Sequence, residues 1–330
     1  MKHEQMFKDF LTEEVNLNMT RRNILNDHVT AVTKALDDLE GYRSFEKQGS
    51  FALGTIIKPK DSNDEYDADL TILMDNNSTI YSSPKSYIEG VYDYLKSNGT
   101  YKDKIKRKKR CVRVNYNDDC HLDLVPCVKY QDSLWICNWE TDQFEITDGT
   151  GYREWFLQKN SQTDGNLRRV VRLVKFLRDH KNTFTAPSII LTTLMAQEVS
   201  PGESSENFKT IPDTLDILTT GVSNFLKNNS TIPIILNPAL PIEEFSSPTQ
   251  NRHWNETQYK NFRTQFISLS DRISEAIAES DKNKSIQLWK GLYGEKFALN
   301  SSTNSVLSST RIKQSATPKV AFHPDKPWLA

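Results

Sequence analysis

Three aspartates in two apolar stretches have the residue types and the spacing of a metal site. Asp67 and Asp69 lie in Tyr66–Met74, whose apolar second half predicts a β-strand. Side chains alternate faces along a strand, so both carboxylates point the same way, about 7 Å apart. Asp123 lies in a second alternating stretch, His121–Pro126. If the two strands share a sheet, the three carboxylates converge, and two Mg²⁺ ions roughly 3.5–4 Å apart would offset their repulsion.

A Gly-Ser pair precedes the acidic strand. Gly49 and Ser50 are expected to form a turn that opens a short helix. Such a turn offers free backbone N–H groups and a hydroxyl, which suit an incoming triphosphate. Together with the carboxylates, the pair indicates phosphoryl transfer from a nucleoside triphosphate (NTP).

The order of these motifs resembles that of the polymerase-β-like nucleotidyltransferases. The stretch GSFALGTIIKPKDSNDEYDADLTILM is similar to second-messenger synthetases related to cyclic GMP-AMP synthase and oligoadenylate synthetase. It is most similar to the bacterial CD-NTases of anti-phage (CBASS) systems. In motif order and spacing the resemblance covers about residues 5–300.

The resemblance implies roles for individual residues. Asp67 and Asp69 would hold both metal ions, which are Mg²⁺ with Mn²⁺ as the alternative. Asp123 would bind the ion on the side of the attacking hydroxyl and help to deprotonate that hydroxyl. Lys175, in Leu-Val-Lys-Phe, would neutralise the triphosphate, and Ser188 would add a hydroxyl at a helix N-terminus. A solvated basic stripe and a plain helix cap are the alternative interpretations of Lys175 and Ser188.

The implied activity is the joining of NTPs into a cyclic di- or trinucleotide with release of pyrophosphate. The product would activate a separate effector protein in anti-phage defence. An enzyme that forms RNA or linear oligonucleotides, of the oligoadenylate synthetase or tailing type, would share the same three carboxylates. An antitoxin-type nucleotidyltransferase would be smaller, and a non-enzymatic scaffold would tolerate the loss of a carboxylate.

The elements that position these residues predict an α/β (α+β) bilobal fold. Residues 1–160 would form a spine helix and a mixed, mainly antiparallel catalytic sheet, residues 161–300 a helical bundle, and residues 301–330 a flexible tail. Asn117–Asp119 is a turn signal, so the strand with Asp123 should be half of a hairpin. Apolar periodicity predicts helices over four ranges: Phe7–Leu39, Pro84–Leu95, Asn166–His180 and Tyr259–Ile277.

Composition excludes several classes of protein. The formal net charge of −1 argues against a generic nucleic-acid binder, so duplex nucleic acid is not expected to be required. The chain has neither a run of about 18 apolar residues nor a signal-peptide core, which predicts a cytoplasmic protein without a membrane partner. Its four cysteines match no zinc spacing and are expected to be reduced thiols.

Two further stretches have alternative interpretations. Lys102–Arg110 is either a patch for phosphates or RNA, or an edge strand whose lysines prevent self-pairing, and the lack of interleaved aromatic residues favours the edge strand. The tail ends in Ala330. A small terminal residue suits attachment by an accompanying ubiquitin-like conjugation system, as in many bacterial relatives, whereas the alternative is a disordered or back-docked end.

Overall fold

A mixed β-sheet and two groups of helices make up the protein in the computed structural model. It describes residues 1–60, 65–77, 79–117, 119–181, 184–246 and 255–299. The predicted tail and the predicted attachment at Ala330 lie outside the described residues. No described helix is long and apolar enough to cross a membrane.

The sheet carries both acidic strands side by side. Within the described residues, its central path runs in the order β1-β2-β5-β4-β3, while β6 pairs with a further part of β5 and β7 pairs with β6. Only the β2–β5 pair is parallel among these contacts, so the predicted mixed, mainly antiparallel sheet is confirmed. The strands are β1 (Tyr42–Gln48), β2 (Tyr66–Met74), β3 (Ile105–Arg107), β4 (Val112–Asn115), β5 (Cys120–Tyr130), β6 (Ser133–Asn138) and β7 (Gln143–Thr147).

Strand β5 changes partner along its length. Its first part pairs with β4 up to Leu124, and its last part pairs with β6 from Cys127 onward. Pro126 lies between these two segments. Since proline has no N–H to donate, it is tolerated at the point where one ladder ends and the next begins. The long β5 therefore joins β2 and β4 to the β6–β7 ribbon that leads into the helical lobe.

Two helices cover the buried face of the sheet. They are α2 (Met19–Ala35) and α4 (Pro84–Ser97), and the second confirms the helix predicted there. Ser83 caps α4 in a capping box, with proline in the first turn, where a missing N–H costs nothing. Their apolar faces and the inward residues of β2, β4 and β5 form one continuous core.

The N-terminal segment is not the single helix that its periodicity predicted. It consists of α1 (Glu4–Phe10), a π-helical turn (Leu11–Val15) and, after a break, α2. Asn18 restarts the helix, because its side chain accepts a hydrogen bond from the N–H of Arg21 at 2.8 Å. The break lets α1 pack in the core of the helical lobe and α2 in the core of the sheet. The segment thus contacts both lobes, as expected of the spine.

Six helices and a small hairpin form the second lobe around its own core. The predicted helices over Asn166–His180 and Tyr259–Ile277 are confirmed. The described elements are α5 (Gly149–Gln162), α6 (Asn166–Lys181), α7 (Ser188–Gln197), α8 (Ile211–Asn228), the hairpin β8 (Leu236–Asn237) and β9 (Leu240–Glu244), α9 (Glu256–Ala278) and α10 (Lys282–Tyr293). Residues of α1 share this core, so the boundary predicted at residue 160 stays a prediction.

Strand β3 lies at the end of the strand order and contains part of the basic run. Three cations of the run have acidic partners: Arg107 with Glu89, Lys109 with Glu140 and Arg110 with Glu145. The structure thus agrees with the interpretation of an edge strand.

All four cysteines are buried and free, as expected for reduced thiols. Burial raises the pKa of Cys111, Cys127 and Cys137.

Candidate active site

A cleft with a volume of about 790 Å³ opens beside β2 and α6. Six of the seven predicted site residues line it, and Asp123 is the exception among them. The six are Gly49, Ser50, Asp67, Asp69, Lys175 and Ser188. Residues far apart in the sequence are therefore brought to one place by elements of both lobes.

The two carboxylates of β2 face the cleft because of strand alternation. Burial alternates along Tyr66–Met74, with Tyr66 and Ala68 in the core of the sheet. Asp67 and Asp69 alternate with these core residues, so they lie on the other face of the strand and line the cleft. The apolar half of β2 anchors this arrangement, since Leu70 and Ile72 are fully buried.

Gly49 is required by the geometry of the turn before α3 (Gly49–Leu53). Its φ of +59° lies in the left-handed region, where a side chain is strained. A Cβ at this position would lie 2.2 Å from Oδ2 of Asp69. The absence of a side chain therefore lets the backbone of Gly49 lie directly against the carboxylate of Asp69, with Ser50 following in the first turn of α3.

Asp123 lies next to Asp69 in the sheet but is held by an arginine. The two aspartates are register partners on the parallel strands β2 and β5, so they share a face. Arg113 on β4 donates to both oxygens of Asp123, at 2.7 and 2.8 Å. Within the described residues no three His, Cys, Asp or Glu side chains are grouped so that they could hold a metal ion. Of the three carboxylates predicted to converge, those of Asp67 and Asp69 line the cleft, and that of Asp123 does not.

Arg113 was not predicted as a site residue, although the alternation of apolar and polar residues around it indicated which face of the strand it occupies. Arg113 stands between the apolar residues Val112 and Val114, which are fully buried. The antiparallel pairing of β4 with β5 places Arg113 opposite Asp123. The polar residue of one strand therefore faces the polar residue of the next on the outer face of the hairpin.

Lys175 reaches the cleft from the middle of α6. Its Nζ donates to the carbonyl oxygen of Thr55 at 3.1 Å, and only 4% of the residue is exposed. Burial and the charge of Arg178 lower the pKa of Lys175 to about 8, against the opposing effect of Asp67 and other carboxylates. The lysine is therefore packed and poised near neutrality, which differs from a solvated basic stripe.

Ser188 begins α7 at the same cleft and has an arginine partner. Arg178 donates from Nη1 to Oγ of Ser188 at 3.1 Å and to the carbonyl oxygen of Ala186 at 2.8 Å. The same guanidinium pairs with Asp179. Arg178 and Asp179 line the cleft and were not predicted as site residues. Their signal was the helical stripe of Arg168, Arg172 and Lys175, because Arg178 and Asp179 lie three and four residues after Lys175 and continue it.

The far end of the cleft lies where the chain crosses between lobes. Glu243 of β9 is 8% exposed and accepts three hydrogen bonds. The donors are the Thr147 hydroxyl at 3.1 Å, the Asp148 N–H at 3.3 Å and the Asn237 amide at 2.8 Å. Tyr152 and Phe245 add aromatic surface to the same end of the cleft. The arrangement combines flat apolar walls with a fixed polar network, which suits a nucleobase.

The residues present fit hard divalent cations. Asp67 and Asp69 supply the carboxylate oxygens that Mg²⁺ prefers, and both face the cleft. Arg113 engages each oxygen of Asp123 once, and a carboxylate has about four lone-pair sites, so Asp123 keeps acceptor capacity.

Comparisons with known proteins agree with this geometry. Residues 1–160 match the Second Messenger Oligonucleotide or Dinucleotide Synthetase (SMODS) domain. The match covers 160 of the 330 residues. The SMODS domain contains Gly49, Ser50 and all three aspartates, whereas Lys175 and Ser188 follow it.

Relatives and a solved structure extend the likeness beyond the SMODS domain. The chain is 26% identical to a protein of Roseivirga ehrenbergii named c-di-GMP synthase, over 86% of this chain and 82% of that one. It is 23% identical to the cyclic AMP-AMP-AMP synthase of an Acinetobacter species, over 99% of this chain and 97% of that one. The structure of E. coli MS115-1 CdnC with ATP has a TM-score of 0.71 at 16% identity, covering 90% of this chain and 99% of that one.

These findings confirm the predicted resemblance to the bacterial CD-NTases, the bilobal polymerase-β-like fold and the nucleotidyltransferase class.

Proposed function

We propose that this protein joins NTPs into a cyclic di- or trinucleotide and releases pyrophosphate. The observation that carries the proposal is the meeting of Asp67, Asp69 and the buried Lys175 in one cleft. Two carboxylates without metal would repel a triphosphate, whereas two carboxylates that hold cations, with a lysine opposite, would bind one.

The chain's own residues would bind and orient the substrate. The N–H groups and hydroxyl at Gly49–Ser50, with Lys175 and Ser188, would hold the triphosphate. A nucleotide 3′- or 2′-hydroxyl would then attack the α-phosphorus, forming a new P–O bond while the bond to the β-phosphate breaks and pyrophosphate leaves. Asp123 would accept the hydroxyl proton. Most of the catalysis would come from this positioning and charge balance.

Asp67 and Asp69 would hold two Mg²⁺ ions, or Mn²⁺ instead, and Asp123 would share one of them. When bound, such ions neutralise the phosphates and activate the attacking and leaving oxygens. Arg113 would keep Asp123 oriented until that site is filled, since a bidentate guanidinium fixes a carboxylate in plane.

ATP and GTP are the first substrates to test, because the two relatives are named for adenine and guanine products. The product would activate a separate effector protein in anti-phage defence, in the cytoplasm. An enzyme that makes linear oligonucleotides is the second candidate, since it would use the same carboxylates.

The test is product formation by the double variant Asp67→Asn, Asp69→Asn. Purified protein is incubated with Mg²⁺ and labelled NTPs, and products are treated with phosphatase and identified by mass spectrometry. The wild-type protein should give a phosphatase-resistant product, and the double variant should give none. Loss of two repelling acids should leave the melting temperature unchanged or slightly higher without metal.

Asp93→Asn is the matched control, because Asp93 is an exposed aspartate of α4 outside the cleft. It should retain full synthesis. Substantial product from the double variant would exclude the assignment of Asp67 and Asp69. A product that phosphatase degrades would favour the linear-oligonucleotide enzyme.

A further inference from the structure

Four arginines gather where the part of α6 before Lys175 lies beside the start of α2. They are Arg22 on α2 and Arg168, Arg169 and Arg172 on α6. Burial and the charges of the other three arginines lower the pKa of Arg172 to about 9. None of the four is among the described residues that line the active-site cleft. We call this group the arginine cluster.

Arg172 is the buried member of the arginine cluster, whereas the other three arginines are partly exposed. It is 9% exposed, and its Nε is buried without a hydrogen-bond acceptor. By contrast, Arg168 donates from Nε to the carbonyl oxygen of Leu53 at 2.8 Å, and Arg169 donates from Nη1 to Oδ1 of Asn166 at 2.7 Å. A buried guanidinium whose Nε lacks an acceptor is destabilising, so a structural role does not account for Arg172.

No acid compensates this charge. Among the described residues, no carboxylate forms an ion pair with any member of the arginine cluster. Within the part of the chain that the structure describes, the other charges that act on Arg172 are positive. Several unpaired cations in one place, one of them buried, have the charge and the donors that phosphate and carboxylate groups require.

We infer that the arginine cluster binds a small polyanion, a compact molecule with two or more phosphate or carboxylate groups, at a site separate from the active site. Burial decides the size of the ligand. The phosphates of a nucleic-acid duplex lie along a wide surface and would reach Arg22 and Arg169, which are partly exposed. They would not reach Arg172, whereas a small anion enters and pairs with it.

The site lies next to the phosphate-binding turn of the active site. Arg168 holds the carbonyl oxygen of Leu53, at the end of α3, and also packs against Gly54. Lys175 holds the carbonyl oxygen of Thr55 from two helical turns further along α6. An anion bound to the arginine cluster would therefore contact the same helix that supports Gly49 and Ser50.

The test measures thermal unfolding in EDTA without nucleotides, titrating inorganic tripolyphosphate and, separately, citrate. At least one of these anions should raise the melting temperature of the wild-type protein in a saturable way. In Arg172→Met, the melting temperature without anion should be a few degrees higher, because an unpaired buried charge is removed. The apparent affinity for the anion should fall at least tenfold in this variant.

Lys175→Met separates the two sites, since it removes the phosphate lysine of the active site and should leave the anion response unchanged. Arg263→Met is the matched control for a structural arginine. Arg263 donates to the carbonyl oxygens of Leu226 at 2.7 Å and Lys227 at 3.1 Å, so this variant should be less stable but keep its anion response. Arg22→Gln, at the rim, should fold normally and weaken the response if Arg172→Met does not fold.

Three results would overturn the inference. One is that neither anion stabilises the wild-type protein. Another is that the response disappears in Lys175→Met and persists in Arg172→Met, or in Arg22→Gln if that variant replaces it. The third is that a duplex RNA stabilises the protein through the arginine cluster while both small anions do not. Because the assay contains no nucleotide, its outcome is independent of the proposed synthesis.

Discussion

At the scale of single residues, Lys175 has a charge that depends on pH near neutrality. Burial lowers its pKa to about 8, so it is largely protonated at pH 7 and largely neutral at pH 9. Only the charged form attracts a triphosphate. We expect NTP affinity to fall roughly tenfold between pH 7 and pH 9, as the fraction of charged lysine falls. Calorimetric titration of a non-hydrolysable NTP across this range measures the effect.

Lys175→Arg is the control for this pH dependence, because a guanidinium stays charged throughout. Its NTP affinity should vary much less over the same range. The free energy of unfolding of the unliganded protein should change in the opposite direction and rise with pH. The folded pKa is below the ordinary 10.5, so the unfolded chain binds more protons above pH 8. Unliganded wild-type protein should therefore gain stability from Lys175 as the pH rises from about 8 to 10.5, and Lys175→Met should lack that gain. Equal pH profiles for wild type and both variants would contradict the assignment.

The residue types of the candidate site could be predicted, but their partners could not. Asp67, Asp69 and Asp123 were recognisable because alternation and apolar neighbours place them on strands. The hydrogen bonds from Arg113 to Asp123 depend on the register of β4 against β5, which the connection between these strands fixes. A shift by one residue would move Arg113 to the opposite face of the sheet. The pairing of Arg178 with Ser188 joins two helices across a turn, and no local pattern encodes it.

At the scale of elements, the β8–β9 hairpin holds the crossing between the lobes through Glu243. Three donors converge on its buried carboxylate. In Glu243→Gln, the amide presents a donor toward groups that already donate, so at least one hydrogen bond is lost. We expect the free energy of unfolding to fall by about 1–3 kcal/mol. The KM for NTP should rise, because this network forms one end of the cleft. Urea unfolding and steady-state kinetics measure the two effects.

Glu244→Gln is the matched control, because the neighbouring Glu244 has one hydrogen-bond donor among the described residues, the Ser246 hydroxyl at 3.0 Å. It should change neither stability nor KM appreciably. If both glutamine variants behaved alike, Glu243 would have no special part in holding the crossing.

Long periodic elements were predicted better than the points where they break. Strand β2 and helices α4, α6 and α9 follow from apolar spacing that extends over several turns or residues. The break before α2 did not follow, since the apolar spacing continues through it. Asn18 could have indicated it, because an asparagine that caps a new helix competes with helix continuation. The spacing of apolar residues alone does not reveal such a cap.

At the scale of the whole molecule, charge is balanced, and three of the seven cations in the basic run are paired. The net charge is −1, and Arg107, Lys109 and Arg110 have acidic partners. A near-neutral chain whose basic run is partly neutralised by acidic partners is a poor platform for duplex recognition. We expect synthesis to proceed after nuclease treatment and to be unaffected by added duplex DNA or RNA. Stimulation above roughly tenfold, a coupling of about 1.4 kcal/mol, would show this to be wrong.

The four buried cysteines also determine how the protein can be labelled. The chain contains no other cysteine, and the thiols that carry raised pKa values are poor nucleophiles besides being inaccessible. A maleimide dye should leave the native protein unmodified and react fully after denaturation. One cysteine introduced on each lobe, as in Thr100→Cys with Asn224→Cys, would then accept a donor and an acceptor fluorophore without prior removal of natural thiols. The distance between the lobes could thus be followed in solution during a catalytic cycle.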